Sequence, residues 1–256
     1  MTISESIISG IVQGVTEFLP ISSSGHLVLL HNFFGLSKTD LFFDVCLHFA
    51  TLAAVCVYFR KDLKKILTEN NMRYIACITT GTMPVVLSAF FLEKAIAFVY
   101  TDPVIVMFCL IFTGAVLFAG QLSMSFIKRK KKDIGIWNSA FIGISQILTL
   151  FPGISRSGLT ISSGLAAGVK AEEAFRFSFL LSIPVIFGAM IFKAVNLDPA
   201  MIRAIEPVQF ILGMVMAFAV GLLSLPLLRA VIMGRKLYIF GIYCILLGIV
   251  GKIYLY

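Results

Sequence analysis

The chain has 256 residues, of which 59% are hydrophobic and 13% are charged, and its mean hydropathy is +0.99. Soluble proteins are nearer half apolar and a quarter charged, so the composition excludes a soluble enzyme, a coiled coil, a disordered chain and a secreted disulfide scaffold. It indicates an all-α polytopic membrane protein whose residues 1–256 form a single integral membrane domain.

The net charge of +8 comes from basic residues that fall mainly in short clusters between apolar segments, at 60–65, 128–132 and 229–236. This pattern is typical of cytoplasmic loops. The five cysteines form no CxxC pair and are interpreted as small packing residues. We therefore expect a phospholipid bilayer around the chain and no nucleic acid as a partner.

A helix needs ~20 apolar residues to cross the hydrocarbon core of a bilayer. Two apolar stretches, 5–35 and 135–170, are interrupted near the middle by Pro, Gly and Ser, so each predicts a re-entrant helix–loop–helix hairpin. With both hairpins re-entrant, all three basic clusters fall on the cytoplasmic side. Six other segments have the length of a full transmembrane helix: roughly 41–59, 73–92, 103–127, 174–194, 207–228 and 237–256.

The two interrupted stretches resemble each other at a constant offset of 133 residues. Residues 10–25 match residues 143–158 at nine of sixteen positions, where chance gives roughly one or two. Three crossings separate the hairpins, so they enter from opposite faces, as in an inverted-topology repeat. With repeats at approximately 1–127 and 134–256, the hairpin tips are expected to meet near the midplane.

The first tip is rich in side chains suited to phosphate chemistry, namely Gln13, Glu17, Ser22, Ser23, Ser24 and His26. Gln13 and Glu17 share a helix face at i, i+4 spacing. Hydroxyls and free N–H groups at a helix start can hold an anion, and His26 can serve as acid, base or nucleophile. The alternative for the serines is a helix cap.

The second tip places Arg156 among hydroxyls at the start of a new helix, with Ser155, Ser157 and Thr160 beside it. A guanidinium, hydroxyl donors and the positive end of a helix dipole together suit a phosphate group. A structural pair between Arg156 and Glu17 is compatible with that role. Asp44 and His48, four residues apart, are interpreted as a structural hydrogen bond.

Residues 13–27 and 152–160 closely resemble the two signature motifs of the bacterial undecaprenyl-diphosphate phosphatase family, also called bacitracin-resistance proteins. The resemblance includes Phe43–Phe59 and extends over essentially the whole chain. It implies an enzyme of the bacterial plasma (inner) membrane that hydrolyses a polyprenyl diphosphate, undecaprenyl diphosphate, to the monophosphate and inorganic phosphate. That reaction recycles the lipid carrier used for peptidoglycan and other envelope polymers.

The resemblance places the family's (E/Q)xxxE element on Gln13 and Glu17, and it implies a divalent cation, Mg²⁺ or Ca²⁺, for which Glu17 is the expected ligand. The neutral amide of Gln13 weakens any scheme with two carboxylates on the metal. Ser23, His26 and an activated water remain alternative nucleophiles, and a homodimer remains open. The predicted catalytic residues are Glu17, Ser23, His26 and Arg156. The predicted substrate-binding residues are Gln13, Ser22, Ser24, Ser155, Ser157 and Thr160.

An inverted-repeat transporter or flippase of polyprenyl phosphate lipids is the alternative function, because broken helices in inverted repeats are common in transporters. The two tips differ in chemistry, since one carries an acid, hydroxyls and an imidazole and the other a guanidinium. That asymmetry favours a hydrolase, because transport requires binding alone.

Overall fold

The computed structural model describes residues 1–34, 41–126, 133–195 and 206–255. Within these ranges the chain is helical, which confirms the all-α prediction for them, and a 3₁₀ helix covers Ile147–Leu150. The basic run 128–132 and the segments 37–40 and 196–205 lie outside the described residues. The helices are α1 (Ile3–Thr16), α2 (Ser23–Phe34), α3 (Leu41–Tyr58), α4 (Arg60–Thr68), α5 (Met72–Thr101), α6 (Pro103–Phe126), α7 (Ile136–Gln146), α8 (Arg156–Ala166), α9 (Ala171–Val195), α10 (Pro207–Met233) and α11 (Tyr238–Leu255).

Four of the described helices are long and apolar enough to cross a membrane, namely α5, α6, α9 and α10. A fifth candidate is α3 together with α4, which bend by 68° where the apolar sequence gives way to the basic cluster. These helices make the chain a multi-pass membrane protein.

The expectation of six full-length spans is not confirmed. The last of the six corresponds to α11, whose apolar part within the described residues covers Tyr238–Ile253. The described residues provide four or five candidate spans by length and composition.

Helices at corresponding positions of the two halves pack in corresponding ways. Helix α1 packs against α10 and α7 against α5, while α3 packs on α10 and α9 on α5. The first two contacts are close because a Cβ at Gly10 would overlap the backbone of Gly213, and a Cβ at Gly143 would overlap that of Gly81. Small residues that bring helix backbones together are typical of packing between membrane helices.

The main apolar core joins the two halves and is rich in phenylalanine. Phe18, Phe175, Phe177 and Phe179 are fully buried in it, and Phe59 lies at the bend between α3 and α4. Aromatic rings supply large buried area and lock one another through edge contacts, as Phe18 and Phe179 do with ring centroids 5.6 Å apart at 71°. The core therefore fixes the position of the interrupted helices on either side of it.

Candidate active site

Both interrupted stretches break at a proline. Helix α1 ends at Thr16 and α2 begins at Ser23, with Pro20 in the break. Helix α7 and its 3₁₀ extension end at Leu150 and α8 begins at Arg156, with Pro152 in the break. Proline lacks the N–H that continues a helix and disfavours helical geometry in the residue before it. We call residues 17–25 the first elbow and residues 151–158 the second elbow.

The two elbows restart their helices with the same capping contacts. The Ser22 hydroxyl accepts a hydrogen bond from the backbone N–H of Gly25 at 3.3 Å, and the Ser155 hydroxyl accepts one from Gly158 at 3.1 Å. Such caps satisfy N–H groups that have no partner within the helix. The sequence repeat is thus a repeat of helix starts, and substrate contact by these serines stays a prediction.

Two neighbouring serines occupy matching places beside the caps. The hydroxyls of Ser22 and Ser24 lie 3.3 Å apart, as do those of Ser155 and Ser157. Ser24 differs in making a second contact, because its hydroxyl accepts a hydrogen bond from the backbone N–H of Gly153 at 3.4 Å. The first elbow therefore touches the second through its backbone.

The strongest contact between the elbows is an ion pair. Arg156 Nη2 donates to Glu17 Oε1 at 2.7 Å, and the two side chains are 13% and 7% exposed. Because a buried charge is costly unless it is paired, this pair ties the first elbow to the second. The predicted meeting of Glu17 and Arg156 is therefore observed.

The second oxygen of Glu17 collects three further contacts. Ser23 Oγ donates to Glu17 Oε2 at 2.7 Å and Gln13 Nε2 donates to it at 3.2 Å. His48 Nδ1 lies 3.3 Å from the same oxygen and 3.0 Å from Gln13 Nε2. Glu17 is therefore the centre of the site, with a hydroxyl on one side and a guanidinium on the other.

Arg156 has donor capacity left over. Its Nη1 is buried and has no hydrogen-bond partner among the described residues, although Nη2 is bound to Glu17. The guanidinium carbon lies 5.7 Å from the centroid of the Phe179 ring, which covers one face of the cation. A buried donor without a partner at a cationic site is suited to an anionic ligand.

Thr160, one turn further along α8, is engaged within the protein. Its hydroxyl lies 2.8 Å from the Arg156 carbonyl oxygen and 2.6 Å from the Ser178 hydroxyl of α9. These bonds anchor the first turn of α8 to α9. Contact of Thr160 with a substrate stays a prediction.

His26 lies on α2, three residues after Ser23, and its described partners differ from those of Glu17. Its Nδ1 is 2.7 Å from the Ser22 carbonyl oxygen and its Nε2 is 2.8 Å from the Tyr243 hydroxyl of α11. Of the four predicted catalytic residues, three are joined by direct bonds, and His26 lies one helical turn away along the same helix face.

Two residues that the sequence interpretation did not assign to the site belong to it. His48 was interpreted as structural, yet its ring contacts both Gln13 and Glu17. The available signal was its position, since an ionisable group inside an apolar segment is a functional candidate by default. Thr113 of α6 holds the second elbow, because its hydroxyl donates to the Gly153 carbonyl at 3.0 Å and accepts from the Ser155 N–H at 3.0 Å.

The donor set does not form a protein cage for a divalent cation. The described residues contain no group of three His, Cys, Asp or Glu side chains that could hold a metal ion. Glu17 is the carboxylate of the site, and its oxygens already bind Arg156, Ser23 and Gln13. Mg²⁺ and Ca²⁺ need several oxygen ligands, so Glu17 alone does not fit a resident metal centre.

Aromatic rings separate this site from a second polar cluster. Phe179 packs on Phe59 and Phe175, with ring centroids 6.0 and 5.1 Å away. Beyond them lies a cavity of about 570 Å³. Ion pairs line it, at 2.8 Å for Lys170–Asp133, 3.4 Å for Arg176–Asp62 and 2.7 Å for Arg229–Glu172.

Comparison with known proteins identifies the family. Residues 6–250 match the family described as Bacitracin resistance protein BacA. The undecaprenyl-diphosphatase of Desulforudis audaxviator is 38% identical over 96% of this chain and 95% of its own length. The one of Syntrophotalea carbinolica is 36% identical over 97% of each chain, and the one of Methanosphaera stadtmanae is 38% identical over 98% of this chain and 97% of its own. The chain, with its paired elbows and whole-length match, belongs to the BacA family of bacitracin resistance proteins.

Proposed function

We propose that this protein hydrolyses undecaprenyl diphosphate to undecaprenyl phosphate and inorganic phosphate within the membrane, and so recycles the lipid carrier for envelope polymers. The observation that carries the proposal is the meeting of Glu17 and Arg156 across the two elbows, beside the Ser23 hydroxyl. Curated relatives at 36–38% identity are named for this activity, which supports the same substrate class here.

The diphosphate binds first to Arg156. The unpartnered Nη1 of Arg156 and its Nη2 form a planar fork that matches two phosphate oxygens. An incoming phosphate competes with Glu17 for Nη2, so substrate binding loosens the ion pair and leaves the carboxylate free to take up a proton. The start of α8 adds the positive end of its dipole beside Arg156.

Ser23 is the nucleophile best supported by the contacts. Its hydroxyl donates to Glu17 Oε2 at 2.7 Å, the arrangement of a nucleophile next to its base. Ser23 Oγ attacks the terminal phosphorus, its proton passes to Glu17, and the phosphoanhydride bond to undecaprenyl phosphate breaks. Water then hydrolyses the phosphoserine, which releases inorganic phosphate and restores the serine hydroxyl.

His26 and an activated water are the competing nucleophiles. Rapid quenching during turnover, in parallel into acid and into alkali and followed by peptide mass spectrometry, distinguishes them: we expect phosphate on Ser23 in the acid-quenched sample. Phosphate on His26, which is lost in acid and kept in base, would assign the attack to the imidazole. Direct attack by water leaves neither peptide modified.

A divalent cation is proposed to enter with the substrate instead of being bound beforehand, because the site offers it one carboxylate. When bound, such a cation neutralises negative charge on the phosphate oxygens. Thermal stability separates the two cases. We expect Mg²⁺ or Ca²⁺ alone to leave the unfolding temperature unchanged, and cation with pyrophosphate to raise it above pyrophosphate alone. Stabilisation by the cation alone would indicate a resident site.

We also propose that residues 1–127 and 134–256 form an inverted-topology repeat with six crossings and two re-entrant hairpins, located in the plasma membrane. The matched packing of α1 on α10 and of α7 on α5 supports the repeat.

The aromatic rings and ion pairs between Arg156 and the predicted cytoplasmic end support an opening of the site toward the outer face. Cysteine labelling at exposed Lys64 and Lys236, both expected inside, tests this orientation.

The decisive experiment mixes purified protein in detergent with undecaprenyl diphosphate and measures free phosphate. We expect turnover by the natural chain and its loss in Arg156→Ala, with the exposed Arg73→Ala as the control. Binding of the lipid without phosphate release would favour the transporter or flippase alternative.

A further inference from the structure

The ring of His26 is held at both nitrogens. Nδ1 lies 2.7 Å from the backbone carbonyl oxygen of Ser22, and a carbonyl can only accept a hydrogen bond. In the neutral imidazole, Nδ1 therefore carries the hydrogen and Nε2 carries the lone pair. Nε2 lies 2.8 Å from the hydroxyl of Tyr243, so the phenol donates its hydrogen to that lone pair.

The carbonyl group of Ser22 that binds Nδ1 belongs to the backbone of the first elbow. Ser22 has φ = +68°, a left-handed conformation that turns its carbonyl toward the start of α2. The same carbonyl oxygen accepts a hydrogen bond from the backbone N–H of His26 at 3.2 Å. The acceptor at Nδ1 is thus fixed by backbone geometry and not by a mobile side chain.

The hydroxyl that binds Nε2 belongs to Tyr243 of α11, in the second half of the chain. The phenol and imidazole rings are nearly parallel, at 8°, with centroids 5.7 Å apart. The next residue, Cys244, places its sulfur 3.7 Å from the carbonyl oxygen of Pro20. Two successive residues of α11 therefore contact His26 and the first elbow, so the position of Tyr243 is set by helix packing.

The surroundings of Tyr243 strengthen its bond to His26. Its side chain is 41% exposed at the surface of the molecule, on a helix composed largely of apolar residues. Where such a helix faces lipid, water does not compete for the phenol, and a hydroxyl without a partner is costly. His26 Nε2 is the partner that the described residues supply.

We propose that Tyr243 is a positioning residue that acts through His26, by holding the neutral imidazole in the tautomer with the lone pair on Nε2. This inference rests on the proposed function and adds to it a role for His26 as an acid–base group near Ser23, one helical turn away. Tyr243 does not touch the reacting atoms. It keeps the basic nitrogen in one place and in one protonation pattern between turnovers, while the Ser22 carbonyl, bound to Nδ1–H, takes the place of the outer partner of a catalytic histidine.

The test uses Tyr243→Phe, which keeps the ring and removes the hydroxyl. Tyr238→Phe is the matched control, since Tyr238 lies on the same helix and is 40% exposed. In the chain labelled with ¹⁵N-histidine, which has three histidines, the His26 signals are assigned by their loss in His26→Gln. We expect a single Nδ1–H tautomer in the natural chain and in Tyr238→Phe. In Tyr243→Phe the ring is held at one nitrogen only and can turn away from the Ser22 carbonyl, so we expect a mixture of tautomers.

The kinetic readout accompanies the spectroscopic one. For Tyr243→Phe we expect kcat to fall by about tenfold, while KM for undecaprenyl diphosphate stays within about twofold. An unchanged tautomer in Tyr243→Phe overturns the proposal, and so does a changed tautomer with an unchanged kcat. If the natural chain releases no phosphate, the proposed function fails, yet the tautomer comparison still reports on the Tyr243–His26 bond.

Discussion

Glu17 and Arg156 lie 139 positions apart in the chain, and their side chains meet at 2.7 Å across the two elbows. Neither charge has a second ion-pair partner of that strength in the described part of the site, where His48 Nδ1 is 3.3 Å from Glu17. The two charges of this pair balance each other. In the proposed function a diphosphate brings negative charge to Arg156 and releases Glu17, so the same contact would serve both stability and chemistry.

The guanidinium fork of Arg156 is expected to matter more than its charge. Arg156→Lys keeps the cation but cannot bind Glu17 and a phosphate oxygen from one planar group. We expect kcat/KM for undecaprenyl diphosphate to fall by about 10²-fold or more, measured as phosphate release. The control is Arg73→Lys at an exposed position of α5. Full activity of Arg156→Lys would show that a point charge suffices.

Removal of the Glu17 charge is expected to separate binding from turnover. In Glu17→Gln, Arg156 has no carboxylate to compete with an anion, so inorganic pyrophosphate without added cation should bind more tightly than to the natural chain. Turnover should fall by about 10²-fold or more because the base is gone. Isothermal titration and phosphate release measure the two effects. Weaker pyrophosphate binding in Glu17→Gln contradicts the competition between Glu17 and phosphate.

His48 is expected to act as a hydrogen-bonding neighbour of Glu17. His48→Ala removes the ring at 3.3 Å from Glu17 Oε2 and should lower kcat by about tenfold. His48→Gln restores an amide donor at this position and should recover most of that loss. If both variants lose the same activity, the imidazole itself is required, and proton transfer through His48 becomes the better explanation.

Thr113 is expected to stabilise the second elbow. Thr113→Val keeps the shape of the side chain but leaves the Gly153 carbonyl and the Ser155 N–H without this partner. The cost is about 1–3 kcal/mol for each unpaired buried group, so thermal unfolding should occur at a lower temperature and activity should fall with it. Thr82→Val is the control, because its hydroxyl bonds to the Ile78 carbonyl of its own helix. Equal stability of the two variants refutes the anchoring role.

The sequence was sufficient to predict the membrane class and the internal repeat. A composition of 59% hydrophobic residues leaves no soluble alternative. The proline in each break requires the helix to stop, and a serine two residues later in the first elbow and three later in the second caps the next helix. These are local effects of covalent structure and hydrogen bonding, so they can be recognised without knowledge of the fold.

The sequence predicted some of the contacts made by Glu17 and His26 and missed others. The i, i+4 spacing placed Gln13 beside Glu17, and the complementary charges suggested Arg156 as its partner. His48 comes from α3 and Tyr243 from α11, and no spacing relates either of them to the elbows. Their contribution depends on how the helices cross.

Composition and local pattern thus determined that the chain is helical, lies in a membrane and carries two polar helix breaks. Only the tertiary structure decided which oxygen of Glu17 binds Arg156, that Ser23 shares the other oxygen with Gln13, that Thr113 holds the second elbow, and that Tyr243 contacts His26. The physical reason is the separation along the chain of the residues that interact. Helix breaks and caps depend on neighbours within a few residues, whereas ion pairs and ring contacts depend on the packing of helices that are far apart in the chain.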